Sequence, residues 1–213
     1  HGGVWERVAD RLAADFCVHR VDLPGHGRSA AIAPFTLEAV ADTVAASFPL
    51  PVQVVGWSLG GLVAQQWALA RPDAVRSLAL VATSPRFVRD EDWPHAQPAA
   101  QIAQVAANLD TDFDGTLQRF LALQTLGAPD ARATLAAMRD LLFAHGRPQG
   151  LLPALRLLID ADLRGSAAGI ACPTGLFFGA RDAITPIGAG RWLAAQLPDA
   201  ELVEFAQASH APF

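Results

Sequence analysis

The sequence is poor in charge: 17% of its 213 residues are Asp, Glu, Lys or Arg, against 52% hydrophobic. That balance excludes a disordered chain, which could not bury enough apolar surface to offset the entropy of ordering. A basic excess is also lacking. The net charge is −5 and the isoelectric point near 5.6, so no field exists to neutralise phosphates, and no nucleic-acid partner is expected. No apolar run approaches the ~20 residues that span a bilayer, and no signal-peptide pattern opens the chain. No membrane partner is therefore expected, and the default location is cytoplasmic. Cysteine is scarce: Cys17 and Cys172 lie far apart, in or beside apolar segments, and are read as two reduced thiols. No His/Cys/Asp/Glu cluster has zinc-like spacing, and there is neither a G-x-G-x-x-G turn nor a P-loop, so no metal or nucleotide cofactor is expected. The length fits one domain, read as a monomer.

What is present is an alternation of helix and strand patterns. Val4, Val8 and Leu12 recur at helical spacing, and Phe16 to Val21 is a short β-prone run stopped by Asp22-Leu23-Pro24-Gly25. Thr36 is placed to cap a helix whose apolar face is Leu37, Val40, Ala41 and Val44. Val52 to Trp57 is continuously apolar and reads as a strand buried on both faces, followed by a helix from Leu59 to Ala70 and a strand from Ser77 to Ala82. Such βαβ rhythm specifies a parallel sheet. It breaks at about Pro85 and resumes with strands at Thr174–Gly179 and Ala200–Phe205. Between them the pattern gives three or four helical stretches and no convincing strand. One carries Leu117, Phe120, Leu121 and Gln124 on a stripe, with Gly127 as its stop. Another starts after Pro129, carries Leu135, Met138 and Leu142, and ends near Gly146. The expected fold class is α/β, a mainly parallel sheet with an inserted helical cap. Residues 1–84 and 164–213 form the core and 85–163 the cap.

Gly56-Trp57-Ser58-Leu59-Gly60 is a G-x-S-x-G run between an apolar strand and a helix, the setting in which that motif makes a sharp turn exposing a serine oxygen. Its flanking glycines are expected where a Cβ would meet neighbouring backbone. The amide of Leu59 and the helix N-terminus then face the position of an oxyanion. A serine needs a base, and the base needs a carboxylate to fix its tautomer. Asp182 and His210 each follow an apolar strand, so all three reach the same edge of the sheet. A helix cap or turn carboxylate is the structural alternative for Asp182, and a surface histidine for His210. His26 is read as structural; His19, His95 and His145 carry no assigned role.

With these residues the chain resembles the pimeloyl-[acyl-carrier protein] methyl ester esterases of biotin synthesis, capped α/β-hydrolases. The likeness runs through Val21–Gly25, Gly56–Ala64 and Ser209–Phe213, and more specifically through Asp92-Trp93-Pro94 and Arg119–Thr125. It implies a serine carboxylesterase that demethylates a carrier-bound pimeloyl ester, with Phe120, Leu121, Ala122, Leu123 and Gln124 lining an acyl channel. Gln124, polar on an apolar stripe, must in any case find a partner, either backbone or ligand. The partner implied is the acidic acyl-carrier protein, for which Arg119, Arg132 and Arg139 are docking candidates.

The chain departs from that family at its start. His1-Gly2 lies too close to Val4-Trp5 to be the family's second oxyanion motif and is read as part of the helix approach. The family's first strands, one of them central, and its last helix are then expected to be missing. A gap in the sheet would follow, and with it a poorly soluble or inactive chain. The rival readings are a general short-chain carboxylesterase, a C–C bond hydrolase, and a non-enzymatic receptor on the same fold. A dehalogenase is disfavoured because position 58 is not a carboxylate.

Overall fold

A computed structural model describes residues 1–126 and 131–213, with Leu142 and Phe143 described by backbone alone. A 3-10 turn at Gly2–Trp5 runs into α1 (Glu6–Leu12); then follow α2 (Leu37–Ala45), β1 (Val52–Trp57), α3 (Leu59–Ala70) and β2 (Val75–Val81). Four helices come next: α4 (Ala99–Thr111), α5 (Phe113–Thr125), α6 (Ala131–Phe143) and α7 (Leu151–Asp160). The chain closes with β3 (Thr174–Gly179), α8 (Ile187–Gln196) and β4 (Ala200–Phe205). The strands form one parallel sheet in the order β1-β2-β3-β4. Gly127 and Pro129, expected as a helix stop and start, lie outside the described residues.

Local chemistry explains the elements. Thr36 caps α2, its hydroxyl accepting from the Ala39 amide at 3.2 Å. Leu37, Val40, Ala41 and Val44 then fall on one buried face. Burying each larger side chain there contributes roughly 1.5–3 kcal/mol, so a charge at Val40 would break the face. Strands β2 and β3 hold the centre, with Leu80, Leu176 and Phe178 at 0% exposure against Leu62 of α3.

Strand β1 departs from its expected burial. It does not lie buried on both faces: Gln53 and Val55 are exposed, Val55 by 43%. The physical reason is position, since among the described residues β1 pairs only with β2 and forms the sheet's edge. The β-prone run Phe16 to Val21 is not a strand either. Phe16, Val18 and Val21 stay exposed, separated from β1 by an apolar cleft of about 1010 Å³. Without a ladder partner, strand propensity yields only an extended segment.

Between β2 and β3 the structure has α4 to α7 and isolated bridges in place of strands. The segment entering this block is held by ion pairs: Arg86 with Asp162 at 2.6 Å and with Asp90 at 3.0 Å, and Arg164 with Asp92 at 2.9 Å. Trp93 anchors it, 1% exposed, edge-on to Trp192 and donating to the Arg86 carbonyl at 2.9 Å. Cys17 and Cys172 are both free thiols.

Candidate active site

Ser58 sits between β1 and α3 at φ 53°, ψ −121°, a conformation that costs a non-glycine residue free energy and persists where surroundings enforce it. The surroundings here are specific. The Ser58 amide donates to the Val81 carbonyl at 3.0 Å, and the Thr83 hydroxyl donates to the Ser58 carbonyl at 2.7 Å. A Cβ on Gly56 would stand 2.6 Å from the Gly60 carbonyl oxygen, so strand and helix can approach only over glycine. The expectation for Gly60 is corrected: a Cβ there meets nothing within 4 Å. The second tight position is Gly61, where it would stand 2.6 Å from the Thr83 side chain.

The three residues expected to meet do so. His210 Nε2 lies 2.9 Å from Ser58 Oγ, and His210 Nδ1 lies 2.8 Å from Asp182 Oδ2. His210 is 2% and Asp182 6% exposed, so the bond between them is shielded from water, while that to Ser58 is part-buried. With Asp182 accepting at Nδ1, the proton belongs on that nitrogen and Nε2 presents its lone pair to the serine. His210 is buried and so is not the surface histidine of its alternative, whereas Asp182 is also a turn carboxylate, its Oδ1 accepting from the Ile184 and Thr185 amides while Oδ2 meets His210.

Three residues in contact with this constellation or its loops escaped the sequence reading. The Trp57 indole donates to the His210 carbonyl at 2.7 Å. Thr185 contacts both Asp182 and His210. Gln97, from the segment leading to α4, donates through Nε2 to the Ala183 and Ile184 carbonyls beside the acid. Trp57 and Thr185 stand one and three residues from their triad neighbours, a signal available in the sequence; Gln97 has none.

Leu59 opens α3, so its amide is among the first-turn N–H groups that a helix leaves unpaired. The amides of Gly2 and Gly3 are already used, donating to Asp22 Oδ1 at 2.6 Å and to His1 Nδ1 at 2.9 Å. That agrees with reading His1-Gly2 as the helix approach. Asp22 also accepts from the Arg28 amide; burial opposes its ionised form, yet these two backbone donors hold its carboxyl below the usual range. His26 donates through Nδ1 to the Pro24 carbonyl at 3.0 Å, and burial pushes its imidazole below the ordinary histidine value.

The cleft beside Ser58 receives Phe120, Leu121 and Gln124 from α5. The expectation for Ala122 and Leu123 is corrected: both are exposed and neither lines the cleft, because helical periodicity turns them outward. Gln124 is 6% exposed; its carbonyl accepts from the Ser209 hydroxyl at 3.0 Å, while Oε1 has no partner among the described residues. Of the arginines, Arg119 pairs with Asp112 at 3.0 Å and Arg139 with Asp140 at 3.7 Å. Arg132 and Arg139 flank the same shallow hollow of about 210 Å³ between α5 and α6.

The whole chain, residues 1–213, matches the alpha/beta hydrolase family. It is 70% identical over 213 residues to a pimeloyl-[acyl-carrier protein] methyl ester esterase of Chromobacterium violaceum, covering all of this chain and 84% of that protein. It is 44% identical to the esterase of the same name from Stenotrophomonas maltophilia, covering 82% of it. Among solved structures it is similar to an esterase from Exiguobacterium antarcticum (TM-score 0.89, 20% identity, 98% of this chain and 80% of that one). It is also similar to an enol-lactonase from Burkholderia xenovorans (TM-score 0.82, 27% identity, 98% and 79%). With its parallel sheet, its serine on a strained strand-to-helix turn and these relatives, the chain belongs to the alpha/beta hydrolase family and, within it, to the pimeloyl-[acyl-carrier protein] methyl ester esterases.

Proposed function

We propose that this protein is a carboxylesterase that hydrolyses the methyl ester of pimeloyl-acyl-carrier protein, the reaction named for its 70%-identical relative. One observation carries the chemistry: Ser58 Oγ, His210 and Asp182 form a continuous hydrogen-bonded chain of 2.9 and 2.8 Å, with Ser58 in the lining of an apolar cleft. His210 Nε2 takes the Ser58 proton as Oγ attacks the ester carbonyl carbon. The Leu59 amide and the start of α3 stabilise the oxyanion. The intermediate collapses with cleavage of the bond to the methoxy oxygen, and the imidazolium returns its proton to release methanol. Water, deprotonated by His210, then attacks the acyl-serine; Ser58 recovers its proton and the free carboxylic acid leaves. Asp182 holds the Nδ1–H tautomer throughout and stabilises the imidazolium.

Phe120, Leu121 and Gln124 are the groups we assign to the acyl chain. The carrier is an acidic partner, and Arg132 and Arg139 on one face of α6, with Arg119 on α5, supply the opposite charge. Reversing the charge at Arg132 and Arg139 lowers kcat/KM on the carrier-linked ester and leaves small esters unaffected. Unchanged carrier-linked turnover would remove these arginines from the docking surface. The core and cap division at residues 85 and 163 belongs to the same reading, the α4–α7 block covering the site.

The test of the reaction is methanol release from pimeloyl-carrier methyl ester, run beside Ser58→Ala. Multiple turnovers abolished by the substitution support the proposal. Turnover of nitrophenyl esters alone would keep the serine hydrolase and make it a general esterase. Stoichiometric labelling without turnover would make it a receptor on a hydrolase fold.

A further inference from the structure

We propose that Thr185 is a positioning residue of the reaction: its hydroxyl fixes the carboxylate oxygen of Asp182 that receives His210, and shares the imidazole proton with it. The inference rests on the triad reading above.

The two oxygens of Asp182 are held differently. Oδ1 accepts from two backbone amides, Ile184 at 2.8 Å and Thr185 at 2.9 Å, which anchor it to the turn. Oδ2 faces the histidine. Among the described residues it has two contacts, His210 Nδ1 at 2.8 Å and the Thr185 hydroxyl at 2.5 Å. Thr185 is 1% exposed, so water does not substitute for it in this structure. A hydroxyl has one proton to donate and lone pairs to accept with. Facing an ionised carboxylate it donates to Oδ2, leaving a lone pair for the Nδ1–H of His210, which stands 3.2 Å from Oγ1. The imidazole proton is therefore shared by two acceptors on the same side of the ring, which fixes the ring plane as well as the tautomer.

The backbone makes this arrangement stiff. Thr185 is β-branched, which restricts its first side-chain torsion, and it precedes Pro186, which restricts its own backbone. Its backbone amide and its hydroxyl thus hold the two oxygens of one carboxylate from a single residue. Gln97 grips the same turn from outside, donating to the carbonyls of Ala183 and Ile184. Asp182 and His210 are the titratable groups in hydrogen-bond contact with the hydroxyl.

Removing the hydroxyl has two consequences that a packing role would not produce. Oδ2 loses a donor, which strengthens its hold on the imidazolium, and Nδ1–H loses an acceptor, which weakens it; the 2.5 Å bond to the carboxylate outweighs the 3.2 Å contact, so the base keeps its proton to higher pH. The same oxygen also loses one of the two contacts that set its direction, so proton transfer slows. Thr185→Val preserves the shape of the side chain and deletes only the hydrogen bonds.

The experiment is steady-state hydrolysis of a p-nitrophenyl ester as a function of pH by the wild type, Thr185→Val, Thr185→Ser and Ser58→Ala. In Thr185→Val, kcat falls roughly tenfold or more with KM little changed. The acidic limb of its kcat/KM profile moves up by about half a pH unit or more. Thr185→Ser, which restores the hydroxyl, recovers most of both. Urea denaturation checks that each variant is folded; should Thr185→Val fail to fold, Thr185→Ala is compared with Thr185→Ser. Wild-type kcat and an unmoved limb without the hydroxyl, or equal losses in the serine variant, overturn the role of Thr185. Activity that survives in Ser58→Ala overturns the triad itself, a separate outcome.

Discussion

The indole nitrogen of Trp57 donates to the carbonyl oxygen of His210 at 2.7 Å, joining residues 153 positions apart in the chain. Trp57 is the last residue of β1, immediately before Ser58, so one strand end fixes both the serine and the loop that carries His210. The ring also packs against His210 and meets Phe213 edge-on, each at 5.3 Å. Trp57→Phe keeps the stacking and deletes the donor, leaving the carbonyl unpaired at a loss of about 1–3 kcal/mol. We expect kcat to fall about tenfold with a smaller change in KM, read by nitrophenyl ester hydrolysis. An unchanged kcat would mean that the loop holds its own geometry.

The glycines around Ser58 are not equivalent. A Cβ on Gly56 collides with backbone, whereas one on Gly60 enters open space. Gly56→Ala should therefore destabilise by roughly 1–3 kcal/mol, the range of overpacking in a core. Gly60→Ala, inside a helix, should gain up to about 1 kcal/mol. Urea denaturation midpoints of the two variants give the comparison, and similar losses in both would contradict it.

Those two positions also mark what was legible in advance. The motif located the strand-to-helix turn because an apolar strand and a small-residue helix bracket it, and the meeting of Asp182 and His210 with Ser58 was legible because each follows a strand. Pattern reasoning placed β1, β3, β4 and α3 at their observed bounds for the same reason: apolar runs bounded by glycine and proline have one good solution in a parallel sheet. It failed where an outcome depends on a partner distant in sequence. The burial of β1 depends on what lies beside it, and Val55 ended exposed. Phe16 to Val21 had the propensity of a strand but no ladder. Gln97 reaches the acid turn from a segment 86 residues away, which no local pattern announces. The outward turn of Ala122 and Leu123, by contrast, was available from helical spacing, because a contiguous five-residue lining cannot share one helix face.

Asp162 links α7 to the segment entering the α4–α7 block, accepting from Arg86 and Arg164. Burial would raise its pKa, but the Arg164 side chain and amide and the Arg86 side chain outweigh that and bring it from 3.8 to about 2. A folded value below the unfolded one means stability present above about pH 4 and lost as pH falls through about 2. At face value the shift corresponds to about 2.5 kcal/mol, and solvent screening of a side chain 30% exposed reduces it to about 1 kcal/mol. Asp162→Asn should therefore be less stable than wild type by about that amount at pH 7, with the difference closing toward pH 2. A difference independent of pH would assign the loss to geometry and not to charge.

Gln124 separates folding from function. Its Oε1 is buried in the wall of the cleft with no partner among the described residues, an arrangement that costs the fold about 1–3 kcal/mol per unpaired group. Gln124→Leu fills a similar volume on the apolar stripe of α5 and removes that unpaired oxygen. Stability should rise by about 1 kcal/mol, since a purely structural glutamine would already have its bonds made within the protein. If the amide is kept for the substrate, KM for the carrier-linked ester rises several-fold in the same variant while turnover of a short nitrophenyl ester is retained. Stability that falls, with KM unchanged, would make Gln124 a core residue whose partner is protein, and the acyl contacts would then rest on Phe120 and Leu121 alone.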